Sequence, residues 1–140
     1  MKNIIDLLKQ KNSLLENFLT LNENQLADLH EGIFDHLDQF YHSRDSLLDM
    51  IKILDSEVDY FASSPDTPEF SQEMKTTAHK ELVKKDDLVK VIVAQDLQII
   101  SLIESKKSEI IKELQTVKEK KRVYTGYKTS TGPRRLNEKY

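Results

Sequence analysis

The chain has 140 residues, of which 38% are hydrophobic and 32% are charged, with three Gly, three Pro and no Cys. So few turn-forming residues exclude a fold of strands joined by tight hairpins, and the length suits one domain with one core. The absence of Cys excludes disulfides, thiolate metal sites and a cysteine nucleophile, and it is compatible with the reducing cytosol. We therefore expect an all-α protein, an elongated antiparallel bundle of three long helices with a flexible C-terminal tail.

The sequence shows no segment that would place the chain in a membrane. The first eleven residues mix acids and bases within one helical period, so they do not form a signal peptide. No uncharged run is long enough to span a bilayer. We expect a cytoplasmic protein without membrane insertion.

The first helix is predicted over residues 3–31, where apolar residues keep a heptad-like spacing and Lys11 and Gln25 fill the two missing places. The two Asn in residues 22–24 weaken this helix without requiring a break. Gly32 is the predicted stop, because Gly tolerates the left-handed conformation that follows many helix ends. The apolar residues of this row are Ile4, Leu7, Leu14, Phe18, Leu21 and Leu29.

The second helix is predicted over residues 34–62 and has the most regular seam of the chain. Its steps alternate between four and three residues, and only Arg44 is polar. We expect the aliphatic stem of Arg44 to pack in the seam while its guanidinium reaches a carboxylate at the edge, such as one on the first helix. The seam residues are Ile33, Leu37, Phe40, Arg44, Leu47, Ile51, Leu54, Val58 and Phe61.

The third helix is predicted over residues 69–122, with Thr67 as its N-cap and Pro68 in its first turn. A kink or short loop at residues 84–87, Lys-Lys-Asp-Asp, is the alternative to an unbroken helix. Its last part is strongly amphipathic. The row at alternating three- and four-residue steps is Val89, Ile92, Ile99, Ile103, Ile110, Val117 and Tyr124, widened by Leu88, Ile100, Leu102, Ile111 and Leu114.

The predicted helix lengths raise the question of what covers this row. At about 1.5 Å per residue the first two helices span on the order of 45 Å each, whereas an unbroken third helix would reach roughly 80 Å. Either the chain bends near residue 85 and packs back, or the later apolar residues need another protein. The candidate partner-binding residues are Ile99, Ile103, Ile110, Leu114, Val117 and Tyr124.

Charge is unevenly distributed along the chain. Residues 1–62 hold 12 Asp or Glu against 5 Lys or Arg, while residues 106–140 hold 4 against 11. This pattern is typical of a solvated helix face followed by a flexible basic tail, here residues 125–140, or of a basic end that docks on an acidic partner, including the chain's own first half. Nucleic-acid binding is a weaker alternative, because the chain is acidic overall and has no recognisable recognition helix. We expect no nucleic-acid partner.

No motif of catalysis or of cofactor binding occurs. His30, His36 and His42 recur every six residues, a spacing that turns the direction on a helix by about 240°, so they do not share a face as metal ligands would. Gly-rich phosphate loops, HExxH and Gly-x-Ser-x-Gly sequences are missing. We expect a protein that is not an enzyme and takes no cofactor or metal.

Several segments together resemble the small flagellar export chaperones of the FliT type, with the FlgN type as second choice. The apolar pairs and the aspartate of the third helix resemble the last core helix of that family, and the turn near Gly32 with Arg44 resembles the family's first turn and second helix. The segments are LVKVI at 88–92, DLQIISLIE at 96–104, IIKEL at 110–114, Tyr124, LHEGIFDHL at 29–37 and RDSLL at 44–48.

The resemblance implies a cytoplasmic type III export chaperone. Such a protein binds an amphipathic helical segment of a flagellar structural protein, keeps it from assembling early and delivers it to the export apparatus. The client favoured by the FliT-type resemblance is the filament cap, and the FlgN type would imply the hook–filament junction proteins. The alternative is a coiled-coil adaptor that uses the same apolar faces to form a homodimer.

Overall fold

The computed structural model describes residues 3–63 and 71–131, with side chains up to Val123. These residues form an all-α structure of three helices: α1 (Ile4–His30), α2 (Leu37–Ser63) and α3 (Gln72–Thr131). The third helix is the longest, at 60 residues. The described ranges contain no strand, and none of their helices is long and apolar enough to cross a membrane. The chain divides into two compact units, Met1–Ile100 and Ser101–Tyr140.

Helix α1 begins with a capping box. The Asn3 side chain accepts a hydrogen bond from the Asp6 backbone N–H at 2.9 Å, and the Asp6 carboxylate accepts one from the Asn3 backbone N–H at 3.4 Å. These bonds satisfy two amides that the helix itself cannot pair, which stabilises a helix start by about 1 kcal/mol. The start at Ile4 agrees with the predicted one.

Helix α1 ends where Gly32 was expected to end it. Gly32 has a φ of 79°, and the N–H of Ile33 donates to the carbonyl of Asp28 at 2.9 Å while that of Gly32 donates to Leu29 at 3.0 Å. This pair of bonds is the Schellman motif, which satisfies carbonyls of the last helical turn. The returning chain occupies residues 33–36, so α2 begins at Leu37, three residues later than predicted.

The first unit is a three-helix bundle in which the chain runs up, down and up again. Lys11 of α1 pairs with Asp55 of α2 at 2.7 Å, far from the turn that joins them, so these two helices are antiparallel. Along α3, by contrast, Glu81 lies beside Asn12, and Asp96 lies beside Asn22. Helix α3 therefore runs parallel to α1 and antiparallel to α2.

All three helices contribute to the core of the first unit. Leu15 and Phe18 of α1 and Ile92 of α3 form a buried cluster, and Leu47 of α2 and Leu88 of α3 pack against it. Most of the α1 row predicted from the sequence is buried or half-buried as expected. Gln25, one of the two polar interruptions of the row, is buried at 4% exposure, and Asn22, which lies outside the row, is buried at 0%. Lys11, the other interruption, keeps 19% of its side chain exposed.

The predicted seam of α2 is confirmed. Every one of its positions from Leu37 to Phe61 is buried or half-buried, and Phe40 and Leu54 are the most deeply buried. The three- and four-residue spacing identified this face because it continues without a slip along α2, whereas the other sides mix Asp and Ser with isolated exposed apolar residues such as Met50 and Ile53.

Helix α3 differs from its predicted bounds at both ends. The Ser71 hydroxyl accepts a hydrogen bond from the Met74 N–H at 3.1 Å, so Ser71 caps the helix; the expected cap, Thr67, and Pro68 lie outside the described residues. The helix continues through residues 84–87 without the loop considered there.

At its C-terminal end α3 continues to Thr131, so residues 125–131 of the predicted tail are helical, and residues 132–140 lie outside the described part of the chain. The lone Gly126 costs a helix only about 1 kcal/mol, which does not stop it.

Candidate partner-binding surface

The five candidate partner-binding residues whose side chains the structure describes fall into three groups. Ile99 is only 4% exposed and belongs to the core of the first unit, so it is a structural residue and not part of an open face. Ile103 is half-buried. Ile110, Leu114 and Val117 are exposed at 44%, 56% and 48%. The side chain of Tyr124 lies outside the described residues.

The three exposed residues form the open stripe, as we call Ile110, Leu114 and Val117 from here on. Their spacings of four and three residues place them on one side of α3. A helix presents apolar positions in this pattern when it packs against another helix. Ile111, which is 54% exposed, adjoins the stripe and widens it.

The helix that carries the open stripe is stabilised locally by ion pairs between neighbouring turns. Lys107 lies 3.6 Å from the Glu104 carboxylate, and Lys106 lies 3.8 Å from that of Glu109. Each exposed pair of this kind contributes about 0.3 kcal/mol, so the two pairs add only a small stabilisation to the helical form of this segment. A preformed helix loses little conformational entropy when a partner binds.

A second apolar row is exposed on α3 within the first unit. Its members follow one another at seven-, four-, four- and three-residue steps, so they share a side of the helix that differs from the buried one. Val89 had been assigned to the buried row from its spacing, but it is 38% exposed and Leu88 packs against the core instead. The row comprises Leu82, Val89, Val93, Leu97 and Ile100.

Arg44 pairs with a carboxylate, as expected, but this carboxylate belongs to Asp96 of α3 and not to the first helix, which was given as the example. Its Nη1 and Nη2 donate to Oδ1 and Oδ2 of Asp96 at 3.0 and 3.3 Å, a two-pronged ion pair. Asn22 of α1 donates to the same Oδ1 at 3.0 Å, and the guanidinium carbon lies 5.2 Å above the ring centre of Phe18. We call Asn22, Arg44 and Asp96 the polar node; it joins all three helices, and its role is structural.

The signal for Asp96 was available in the sequence. Asp96 follows Ile92 by four residues and precedes Ile99 by three, so a carboxylate occupies the buried row of α3 just as Arg44 occupies that of α2. Two opposite charges that each interrupt an apolar row are expected to meet, because an unpaired buried charge is costly. The spacing also indicated that Asn22 is buried, since it lies seven residues from both Leu15 and Leu29, which are buried apolar residues of α1.

One histidine has a defined partner. The Nδ1–H of His36, in the turn between α1 and α2, donates to the Asp28 carboxylate at 2.9 Å. This hydrogen bond and the negative charge of Asp28, with that of Asp35 adding to it, raise the pKa of His36 above its ordinary value of 6.5. Among the side chains that the structure describes, no three of His, Asp or Glu are grouped as metal ligands would be.

Comparisons with known proteins found no match: no protein-family model, no curated protein and no solved structure is similar to this chain.

Proposed function

We propose that this protein is a type III export chaperone that binds an amphipathic helical segment of a flagellar structural protein. The observation that carries the proposal is the open stripe, three large apolar side chains exposed at 44–56% on one side of a helix. Isolated exposed apolar residues need no explanation, but a row at helix-packing spacing is typical of a surface that another helix covers. The resemblance of most of residues 20–124 to FliT-type chaperones supplies the class of partner.

On this proposal the first unit supports the helix that binds the client. Ile92 and Ile99 anchor α3 in the core, and the polar node fixes its alignment with α1 and α2. The client lays its apolar side on the open stripe, so that the client's own assembly surface is covered until the export apparatus receives it. The filament-cap protein is the favoured client, and the hook–filament junction proteins are the second choice. The site of action is the cytoplasm.

The test is direct binding between the purified chain and the helical terminal segment of a filament-cap protein, measured by isothermal titration calorimetry. We expect Ile110→Asp to abolish binding, because it places a carboxylate in the middle of the packed surface. The matched control is Ile100→Asp, which changes the same residue type at a similarly exposed position, 55%, of the second apolar row. Loss of binding in Ile100→Asp with retention in Ile110→Asp would move the site to that row.

A homodimeric coiled-coil adaptor is the second candidate, and the heptad-compatible spacing of the open stripe favours it. Light scattering of the purified chain separates the two functions. A monomer that acquires a client helix supports the chaperone, whereas a stable dimer that dissociates on Ile110→Asp supports the adaptor.

A further inference from the structure

The charges around the open stripe have one predominant sign. Residues 101–123 carry seven Lys or Arg and four Glu, in contrast to the acidic first half of the chain. Two of those four Glu, Glu104 and Glu109, are already engaged by Lys107 and Lys106 of the same helix. The last turns before residue 124 are therefore strongly basic, and their side chains are exposed.

Helix geometry determines which of these charges a partner meets. Residues three or four positions away from a stripe residue are its neighbours on the helix surface. The charged residues at those positions are five lysines and a single glutamate. They are Lys106, Lys107, Lys118, Lys120 and Lys121, with Glu113. Lys106 and Lys107 already pair with Glu109 and Glu104, so the positive charge at the edges of the stripe comes mainly from Lys118, Lys120 and Lys121.

We infer that the open stripe binds an amphipathic helix whose apolar row is flanked by Asp and Glu. This inference rests on the proposed function and adds the charge of the partner to it. The apolar row of the partner covers Ile110, Leu114 and Val117, while the lysine stems lie along its sides and their ammonium groups meet its carboxylates. Charge pairs at the rim add selectivity and a faster association rate more than affinity.

A second copy of this chain does not meet that requirement. Two open stripes facing each other would bring the five lysines of one copy against those of the other, and like charges at an interface are unfavourable. Docking of the stripe on the acidic first half of another copy would be a head-to-tail contact, which continues into open chains unless the geometry closes a ring. An acidic helix from a different protein avoids both problems.

The test uses two synthetic helical peptides with the same apolar heptad positions and with either Glu or Lys at every flanking position. Dissociation constants with the full chain are measured by calorimetry. We expect the Glu peptide to bind about tenfold more tightly than the Lys peptide at low salt, and the ratio to shrink as salt screens the rim charges. The double variant Lys118→Glu with Lys121→Glu should reverse or remove the preference, and Ile110→Asp should weaken both peptides.

Each result bears on the inference separately from the proposed function. The inference of an acidic partner is overturned if the two peptides bind equally, if the Lys peptide binds more tightly, or if neither peptide binds. If the flagellar segment still binds in any of these cases, the chaperone function stands without it. A dimer in light scattering that dissociates on Leu114→Asp would also overturn the inference, because it identifies a second copy as the occupant of the stripe.

Discussion

The polar node allows a quantitative test of how the bundle is held together. Asp96→Ala removes the acceptor of three hydrogen bonds, two from Arg44 and one from Asn22. Hydrogen bonds to a charged partner are worth about 1.5–3 kcal/mol when one side is left unpaired in the interior. The Arg44 side chain keeps 29% of its surface exposed, so water replaces part of what is lost. We expect the free energy of unfolding to fall by about 2 kcal/mol.

The companion variant is Arg44→Met, which keeps the aliphatic stem against Phe18 but removes the guanidinium. The double variant should be less destabilised than the sum of the two single variants, by about 1–2 kcal/mol, because each single variant leaves one charge without its partner and the double variant leaves neither. Unfolding in urea is followed by circular dichroism at 222 nm, since the chain contains no Trp for fluorescence.

The matched control for this cycle is Glu16→Gln. It breaks another ion pair between α1 and α3, Lys84 with Glu16 at 2.7 Å, in which both side chains are about half exposed. We expect no measurable change, because solvent screens exposed pairs. If Asp96→Ala is as stable as the unchanged protein, or if the two node substitutions are simply additive, the node does not hold the helices together.

Three further predictions follow from the fold. Ile99→Ala should lower the free energy of unfolding, measured in urea, by about 2–4 kcal/mol, and Ile110→Ala should lower it by less than about 1 kcal/mol, because only Ile99 is in the core. Similar losses in the two variants would mean that the open stripe is covered in the free protein. The His36–Asp28 pair should stabilise the hairpin fully below pH 6.5 and lose its effect as the pH rises through the raised pKa of His36; an NMR titration in which Asp28→Asn leaves that pKa unchanged would contradict this. Amide protons of residues 104–123 should exchange with solvent faster than those of 88–99, and equal protection would show that the later turns are buried.

How far the sequence predicts this structure depends on how many sides each helix buries. The seam of α2 could be found because its apolar spacing runs without a slip from Leu37 to Phe61, while the apolar residues elsewhere on α2, such as Met50 and Ile53, form no such regular row. In α3, apolar residues such as Val91, Val93 and Leu97 lie on several sides, so spacing alone does not say whether Val89 or Leu88 enters the core. The rotation of α3 is fixed by its contacts with the other two helices, which no local pattern contains.

The candidate site was predicted in part. The row from Ile99 to Val117 is correct as a helical pattern, but its division into core and open residues depends on where the neighbouring contacts end. Ile99 is covered and Ile110 is not, although the two residues are chemically identical. A carboxylate partner for Arg44 was predicted, but the helix that supplies it was not identified, because Asp96 is 52 residues away in the sequence and no local pattern joins the two residues.

Because α1 and α2 are synthesised before α3, the core that all three helices share is incomplete while the chain is being made. Helices α1 and α2 leave the ribosome first and can pair as a hairpin, whereas Ile92 and Asp96 follow 29 and 33 residues after Ser63, the last residue of α2. Until then Leu15 and Phe18 lack their α3 partner, and both Asn22 and Arg44 lack the carboxylate that joins them. The nascent hairpin therefore exposes apolar side chains until α3 packs against them, and this packing resembles the binding of a helix from another protein.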